Sequence, residues 1–209
     1  MAAQRAALIG VLLLGGCNLV MTTQPMFGPA DAAGAPRLRP GVWNGPPDPA
    51  CPYDETKPVA AWPACANGGL VSEGQIRARQ DLNGASAGVD YILAAGDPLI
   101  LQLRGLEPAP GSGISITRYF YAGLRPARTD AQGRIIAYDA WLVLCGPPSR
   151  KAVTPDAPAT RSPFPGLVMD PSGQACGPRS AAALRGAAAA SRRWPAAALG
   201  AHWVRDGDR

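Results

Sequence analysis

The sequence predicts a mainly β protein: an antiparallel sheet, sandwich or small open barrel of about four to six strands, with one C-terminal helix. If that helix packs on the sheet, the class becomes α+β. Three observations lead to this expectation. Residues 70–145 alternate apolar and polar side chains, turn-forming residues separate the alternating runs, and residues 180–193 carry a helical period.

A hairpin is predicted near the middle of the chain. Residues 89–94 and 99–103 are apolar runs that flank the turn sequence Ala95-Gly96-Asp97-Pro98. The second run alternates, and a strand buries one of its two faces against the core. Its register therefore follows from burying three leucines, Leu99, Leu101 and Leu103.

Residues 114–122 and 134–145 form a second predicted antiparallel pair. Their connection ends in Asp130-Ala131-Gln132-Gly133, whose glycine accepts a positive φ. An earlier strand over residues 70–79 is less regular, because Glu73-Gly74 interrupts it. One face of the pair is expected to carry its large apolar side chains, Ile114, Ile116, Phe120, Ile136, Tyr138, Leu142 and Leu144.

The predicted helix covers residues 180–193. Gly177-Pro178 precedes it, Ser180 is suited to cap its first turn, and Trp194-Pro195 ends it. At 100° per residue its small apolar side chains share one stripe, which is expected to pack on the sheet rather than to bind a membrane surface. The stripe consists of Leu184, Ala187, Ala188, Ser191 and Trp194.

The N-terminus is a short apolar run that ends in a cysteine. Arg5 supplies a positive charge, and residues 6–14 are too short to span the roughly 30 Å core of a bilayer. The run closes on Leu14-Gly15-Gly16-Cys17. This signal resembles that of bacterial lipoproteins, which implies that residues 1–16 are a signal peptide and that Cys17 is acylated. The alternative is an ordinary thiol beyond a conventional secretory cleavage site.

Asn18 follows the cysteine. In the Gram-negative lipoproteins that this signal resembles, an aspartate at this position favours retention in the inner membrane. Asparagine therefore implies the outer membrane. The resemblance implies a chain held in the cell envelope by lipid on Cys17, in the inner leaflet of the outer membrane and facing the periplasm.

Cleavage before Cys17 leaves about 190 residues, which is enough for one domain with its own core. Residues 17–40 are rich in Pro, Gly and Ala without a periodic pattern, so they are expected to form a flexible tether. Residues 41–209 form the predicted globular domain. Within it, residues 146–166 are a Pro-rich surface loop.

Trp43 is expected to be buried against an edge of this domain. Gly41-x-Trp43, near the start of a β-rich exported chain, is similar to the entry motif of lipocalins, which are eight-stranded barrels. The rest of the chain shows no eight-strand spacing. The resemblance therefore leaves the expected strand count unchanged.

Four cysteines remain once Cys17 is assigned to lipid. An even number in an exported chain predicts two disulfides. Three pairings of the four are open, and pairing neighbours closes the shortest loops. The cysteines are Cys51, Cys65, Cys145 and Cys176. A zinc site is disfavoured, because the chain has no Cys-x-x-Cys and its single histidine, His202, is distant in sequence from the cysteines.

The charge pattern does not indicate nucleic-acid binding. The formal net charge is +5, and eighteen of the 20 basic residues are arginines. They are spread along the chain among acidic residues, whereas a nucleic-acid interface needs a clustered basic surface. The membrane is the expected partner, through the lipid on Cys17.

No catalytic motif is present: the sequence lacks a nucleophile elbow, a His-Glu-x-x-His helix, a dinucleotide-binding turn and a phosphate loop. His202 is the only histidine, and its surroundings are typical of a structural strand or turn. The three glutamates, Glu55, Glu73 and Glu107, lie near turn residues. We therefore expect no enzymatic activity, no cofactor and no metal.

Tyr119 and Tyr121 flank Phe120 in the second predicted pair. Alternation buries Phe120 and leaves both tyrosines on the other face, where they form a candidate patch for binding a partner. The expected role is that of a non-enzymatic structural or interaction module that contacts an envelope protein or the cell wall. The alternative is a carrier that holds a small hydrophobic ligand in a β-rich cavity.

Overall fold

Eight antiparallel strands close into a barrel in the computed structural model of the chain, which describes residues 18–82, 88–108, 115–148, 162–171, 173–194 and 198–208. Each barrel strand pairs with the next one along the chain, and the last pairs with the first to close the ring. The strands are β2 (Gly41–Asn44), β3 (Gly68–Ser72), β4 (Gln75–Ala78), β5 (Val89–Ala94), β6 (Leu99–Pro108), β7 (Ser115–Thr129), β8 (Ile135–Leu142) and β11 (Ala198–Arg205).

The expectation of a mainly β fold with one principal helix is confirmed. The expectation of four to six strands in a sandwich or open barrel is wrong, because the barrel is closed and has eight strands. The strand predicted over residues 70–79 is instead two short strands, β3 and β4, which a turn at Glu73-Gly74 separates. β2 has four residues and begins with glycine, which has no side chain to contribute to an alternating pattern. Long insertions between β2 and β3, and between β8 and β11, also hide the regular spacing of the ring.

Three further strands extend the sheet on one side of the barrel. They are β1 (Leu19–Thr22), β9 (Leu167–Met169) and β10 (Ala175–Pro178). β1 pairs with β7 on one side and runs parallel to β10 on the other. β9 forms the outer edge of this extension.

Residues 18–40, the described part of the segment 17–40 whose composition predicts a flexible tether, lie against the barrel. Leu19, Val20, Phe27 and Leu38 are all buried. The Pro, Gly and Ala residues of this segment cannot form a core alone, but its few large apolar side chains bury themselves against the barrel. Tertiary contacts decide the outcome here, because composition reports only whether a segment folds by itself.

The interior of the barrel is filled by side chains from all eight of its strands. β6 contributes Leu99, Leu101 and Leu103, the three leucines whose alternation predicts burial. They pack against Trp43 of β2 and Leu124 of β7. Tyr138 also lies in this cluster, and burial raises its pKa from 10.0 to about 12. The barrel therefore has an apolar core of its own.

A second apolar core covers the outer face of β5, β6 and β7. Helix α2 (Ala181–Ser191) and residues 20–27 lie over this face. The helix buries four residues of the predicted stripe, Leu184, Ala187, Ala188 and Ser191, whereas the fifth, Trp194, lies beyond its end and is half-buried. The Ser180 side chain accepts a hydrogen bond from the Ala183 amide. Trp141 of β8 donates its indole N–H to the Ala188 carbonyl over 2.7 Å. A shorter helix, α1 (Arg79–Leu82), follows β4.

The second core corrects the proposed tyrosine patch. Tyr119 and Tyr121 do lie on the face opposite Phe120, but that face is covered. Tyr121 is 2% exposed, and its hydroxyl lies 2.5 Å from the Thr22 hydroxyl. Tyr119 is partly buried in the same cluster. The alternation shows which face the tyrosines occupy, but it does not show that β1 and α2 pack over it.

Both predicted disulfides are present and join neighbouring cysteines. Cys51–Cys65 closes the insertion between β2 and β3, which packs on the outer face of β2, β3 and β11. Cys145–Cys176 connects the segment after β8 to β10. Each bond joins segments that lack an extensive strand ladder of their own.

Candidate functional site

The base of the barrel is the end at which β2 begins and β11 ends, and residues 29–40 run across it. The amide of Ile135 donates to the Arg37 carbonyl over 2.7 Å, and the amide of Arg39 donates to the Ile135 carbonyl over 3.0 Å. The side chain of Leu38, between the two arginines, joins the interior core. This base segment therefore caps the barrel from below.

A cleft of about 530 Å³ lies between the base segment, the turn from β3 to β4, and β5. Its lining is mainly apolar, with two arginines and one glutamate. Volumes of this size accommodate small organic ligands. The lining residues are Pro29, Ala32, Ala33, Ala35, Pro36, Arg37, Leu38, Pro40, Glu73, Gly74, Tyr91, Ile92, Leu93 and Arg134.

The charged groups of the cleft lie at its opening. Arg37 Nη1 is 3.0 Å from Glu73 Oε1, and both side chains are more than four-fifths exposed to solvent. An exposed ion pair of this kind contributes little to stability, so it opens at small cost. Arg134 is bound to Asp130 at 2.7 Å. Arg134 is thus paired with a carboxylate outside the lining, which leaves Arg37 as the lining cation that can contact a neutral or singly anionic polar group of a ligand once its exposed pair with Glu73 opens.

Tyr91 provides a polar group inside this mainly apolar lining. Burial raises the pKa of its phenol above 10.0, so the hydroxyl is neutral and able to donate at neutral pH. It lies 3.4 Å from the Ser72 carbonyl. A long hydrogen bond of this kind exchanges readily for one to a ligand.

The Gly41-x-Trp43 motif is built into the same end of the barrel. Gly41 has φ +129°, and a Cβ there would lie 2.3 Å from the Arg205 carbonyl, so only glycine fits. Trp43 points into the barrel and donates its indole N–H to the Arg39 carbonyl over 2.8 Å. The guanidinium of Arg39 stacks on Trp203 at 3.6 Å from the ring centroid. The motif thus joins the base segment to the first and last barrel strands.

His202 lies on strand β11 and contacts the insertion between β2 and β3. Its Nε2 is 3.6 Å from Glu55 Oε1. Asn44 donates to that same carboxylate oxygen over 2.5 Å, and Tyr53 donates its hydroxyl to Asn44 Oδ1. Burial raises the pKa of Tyr53 above 10.0, with a further increase from the neighbouring Glu55. These polar contacts fasten the insertion to β2 and β11.

The other residues considered as sites do not come together. Glu55 contacts His202 and Glu73 contacts Arg37, so these two glutamates do not form a carboxylate pair. Cys17, the signal sequence and residues 149–161 of the Pro-rich loop lie outside the described residues. Within the described ranges, no cluster of three or more His, Cys, Asp or Glu side chains is arranged to hold a metal ion. No helix of the described part is long and apolar enough to span a bilayer.

The cleft is a candidate site that the sequence alone does not indicate. It depends on residues 29–40, whose composition resembles a linker. One sequence signal was available, since Leu38 stands alone among Pro, Gly and Arg directly before the Gly41-x-Trp43 motif. Comparisons of the chain with protein-family models, with curated proteins and with solved structures found no match.

Proposed function

We propose that this chain is an envelope lipoprotein, anchored through acylated Cys17, whose barrel binds a small, largely apolar molecule in the cleft at its base. The observation that carries the binding role is the cleft itself, with its apolar lining and a charged opening. The Leu14-Gly15-Gly16-Cys17 signal carries the anchor. The two disulfides fit an oxidising compartment such as the periplasm.

A ligand suited to this cleft has an apolar body and one neutral or anionic polar group. The body would contact the Ala and Pro side chains of the base segment and Leu93. The polar group would lie near Arg37 and Tyr91 at the opening. Anilinonaphthalenesulfonate combines an apolar ring system with one negative charge and is therefore a suitable probe.

Filling the cleft tests this role. Ala33→Trp places an indole in the cleft, and we expect it to weaken binding of the probe by about tenfold. Probe fluorescence titrated against the purified mature protein gives the affinity. Ala61→Trp is the matched control, because Ala61 is an exposed alanine in the insertion between β2 and β3. Equal affinities for the two variants would place the probe elsewhere and contradict the proposal.

A charge variant separates the two parts of the proposed ligand. Arg37→Gln removes the exposed cation at the opening, keeps Glu73 there and leaves the apolar lining intact. It is expected to weaken binding of the anionic probe and to leave binding of the neutral probe phenylnaphthylamine nearly unchanged. Equal weakening of both probes would contradict a role for charge at the opening.

The anchor has its own test. The intact mass of protein extracted from membranes is expected to exceed that of the chain from residue 17 by a diacylglyceryl and an acyl group. Alkylation before and after reduction is expected to detect free thiols only after reduction, because the other four cysteines are paired. An unmodified Cys17 would refute the lipoprotein assignment.

A protein-interaction module is the second candidate, and one observation favours it. Leu106 on β6 is 72% exposed, the highest value among the large apolar side chains described as exposed. It lies beyond Arg104, the last residue of β6 that pairs with β5, so this part of the β6–β7 hairpin extends past its neighbour. If neither the anionic nor the neutral probe binds the cleft, this candidate is better supported than the carrier.

A further inference from the structure

The residue that follows the proposed lipid anchor is fixed inside the domain. Asn18 is 6% exposed. Its amide donates to the Gln174 carbonyl over 2.7 Å, and its carbonyl accepts from the Cys145 amide over 2.7 Å. Its side-chain amide donates to the Gly146 carbonyl over 3.0 Å. The chain is thus held by hydrogen bonds from the first residue after Cys17.

With Asn18 fixed in this way, no long flexible segment separates the proposed lipid on Cys17 from the domain. Consecutive Cα atoms are about 3.8 Å apart, so lipid on Cys17 would be attached one residue away from a position that hydrogen bonds fix in the domain. A flexible tether of twenty residues would let the domain stand well away from the bilayer. Here the acyl chains enter the bilayer only if the surface around Asn18 approaches the lipid headgroups.

An apolar cluster next to Asn18 has half-buried side chains that suit a headgroup layer. Leu19 and Leu144 of this cluster are buried, and half-buried Met21, Leu142, Phe164 and Trp194 complete it; we call this cluster the anchor-side patch. The Phe164 and Trp194 rings lie 5.8 Å apart. Tryptophan is enriched at membrane interfaces because its ring is apolar and its N–H is polar.

Basic residues adjoin the anchor-side patch. Arg192 and Arg193, both exposed, directly precede Trp194 at the end of α2. Arginines next to an interfacial tryptophan are attracted to anionic headgroups. α2 is itself part of the outer core, so the patch is held in a fixed orientation relative to the barrel.

We propose that the anchor-side patch rests on the phospholipid surface, with Trp194 in the headgroup layer, so that the lipid on Cys17 holds the barrel in one orientation. This inference rests on the anchor in the proposed function. It goes beyond anchoring because it replaces a tethered, freely tumbling domain by a docked one. The bilayer is the occupant because Asn18, the residue after the proposed acylation site, lies beside Leu19 of this patch.

Tryptophan quenching by brominated lipids tests the docking. Acylated protein is reconstituted into phosphatidylethanolamine and phosphatidylglycerol vesicles, with and without bromine on the acyl chains near the headgroups. We expect quenching in wild-type protein, and loss of most of it in Trp194→Phe. Trp62→Phe is the matched control, because Trp62 is buried within the insertion between β2 and β3 and its replacement should leave quenching unchanged.

Three contrary outcomes are distinguishable. Protein whose mass shows acylated Cys17, but whose fluorescence is the same in brominated and plain vesicles, would overturn the docked orientation while leaving the anchor intact. Protein whose mass shows unmodified Cys17 would overturn the anchor and the docking together. Quenching that survives Trp194→Phe but not Trp62→Phe would place a different face on the membrane and also refute the proposal.

Discussion

Replacing Gln102 by leucine is expected to destabilise the protein by about 3 kcal/mol or more, because three backbone groups lose their partner. Gln102 is 3% exposed on the outer face of β6. Its Oε1 accepts from the amides of Met26 and Phe27 at 2.9 and 3.0 Å, and its Nε2 donates to the Phe27 carbonyl at 2.9 Å. The side chain thus acts as a strand partner for the segment that follows β1. Urea unfolding followed by circular dichroism measures the loss.

Gln24→Leu is the matched control, because Gln24 is an exposed glutamine in the same segment. Its replacement is expected to change the free energy of unfolding by less than about 0.5 kcal/mol. If Gln102→Leu lies within about 1 kcal/mol of wild type, the segment is not held by this side chain. Phe27 would then owe its burial to apolar packing alone.

Removing the Cys145–Cys176 disulfide is expected to cost about 4 kcal/mol in the double alanine variant. The bond closes 31 residues, and chain entropy predicts a loss of this size when such a loop is opened in the unfolded state. Both cysteines are at most 1% exposed, so their truncation also leaves space in the outer core. Chemical denaturation under non-reducing conditions gives the change.

The Cys51–Cys65 double alanine variant serves as the comparison. Its bond closes 14 residues, which predicts a smaller loss of about 3 kcal/mol. Cys65 is exposed, so its truncation adds little further cost. The opposite order of the two losses would show that the insertion between β2 and β3 matters more to stability than the connection from β8 to β10.

Local sequence patterns predicted the elements whose contacts are close in the chain. The hairpin of β5 and β6 follows from alternation around a Gly-Asp-Pro turn, and α2 follows from its cap and its apolar stripe. The two disulfides follow from the number of cysteines and the expected compartment, but these do not decide which cysteines pair. In each case the interacting residues are separated by no more than a few tens of positions in the chain, so the interaction is visible as a pattern in the sequence.

Alternation failed where both faces of a strand are covered. In β7, Tyr121 faces the outer core and Ala122 faces the barrel interior, and both are buried. A period of two distinguishes a buried face from a solvated one, so it carries no information about a strand with two buried faces. The tyrosine patch was inferred from this period, and the packing of β1 and α2 over it refutes the inference.

By itself, the sequence determined the β class, the central hairpins, the helix and its buried stripe, because these depend on local periodicity and turn chemistry. Only the tertiary structure decided the closure of the barrel, in which β2 pairs with β11. It also decided that residues 18–40 dock and create the cleft at the base. Such contacts join residues far apart in the chain, and their energy comes from complementary surfaces that exist only once both partners have folded.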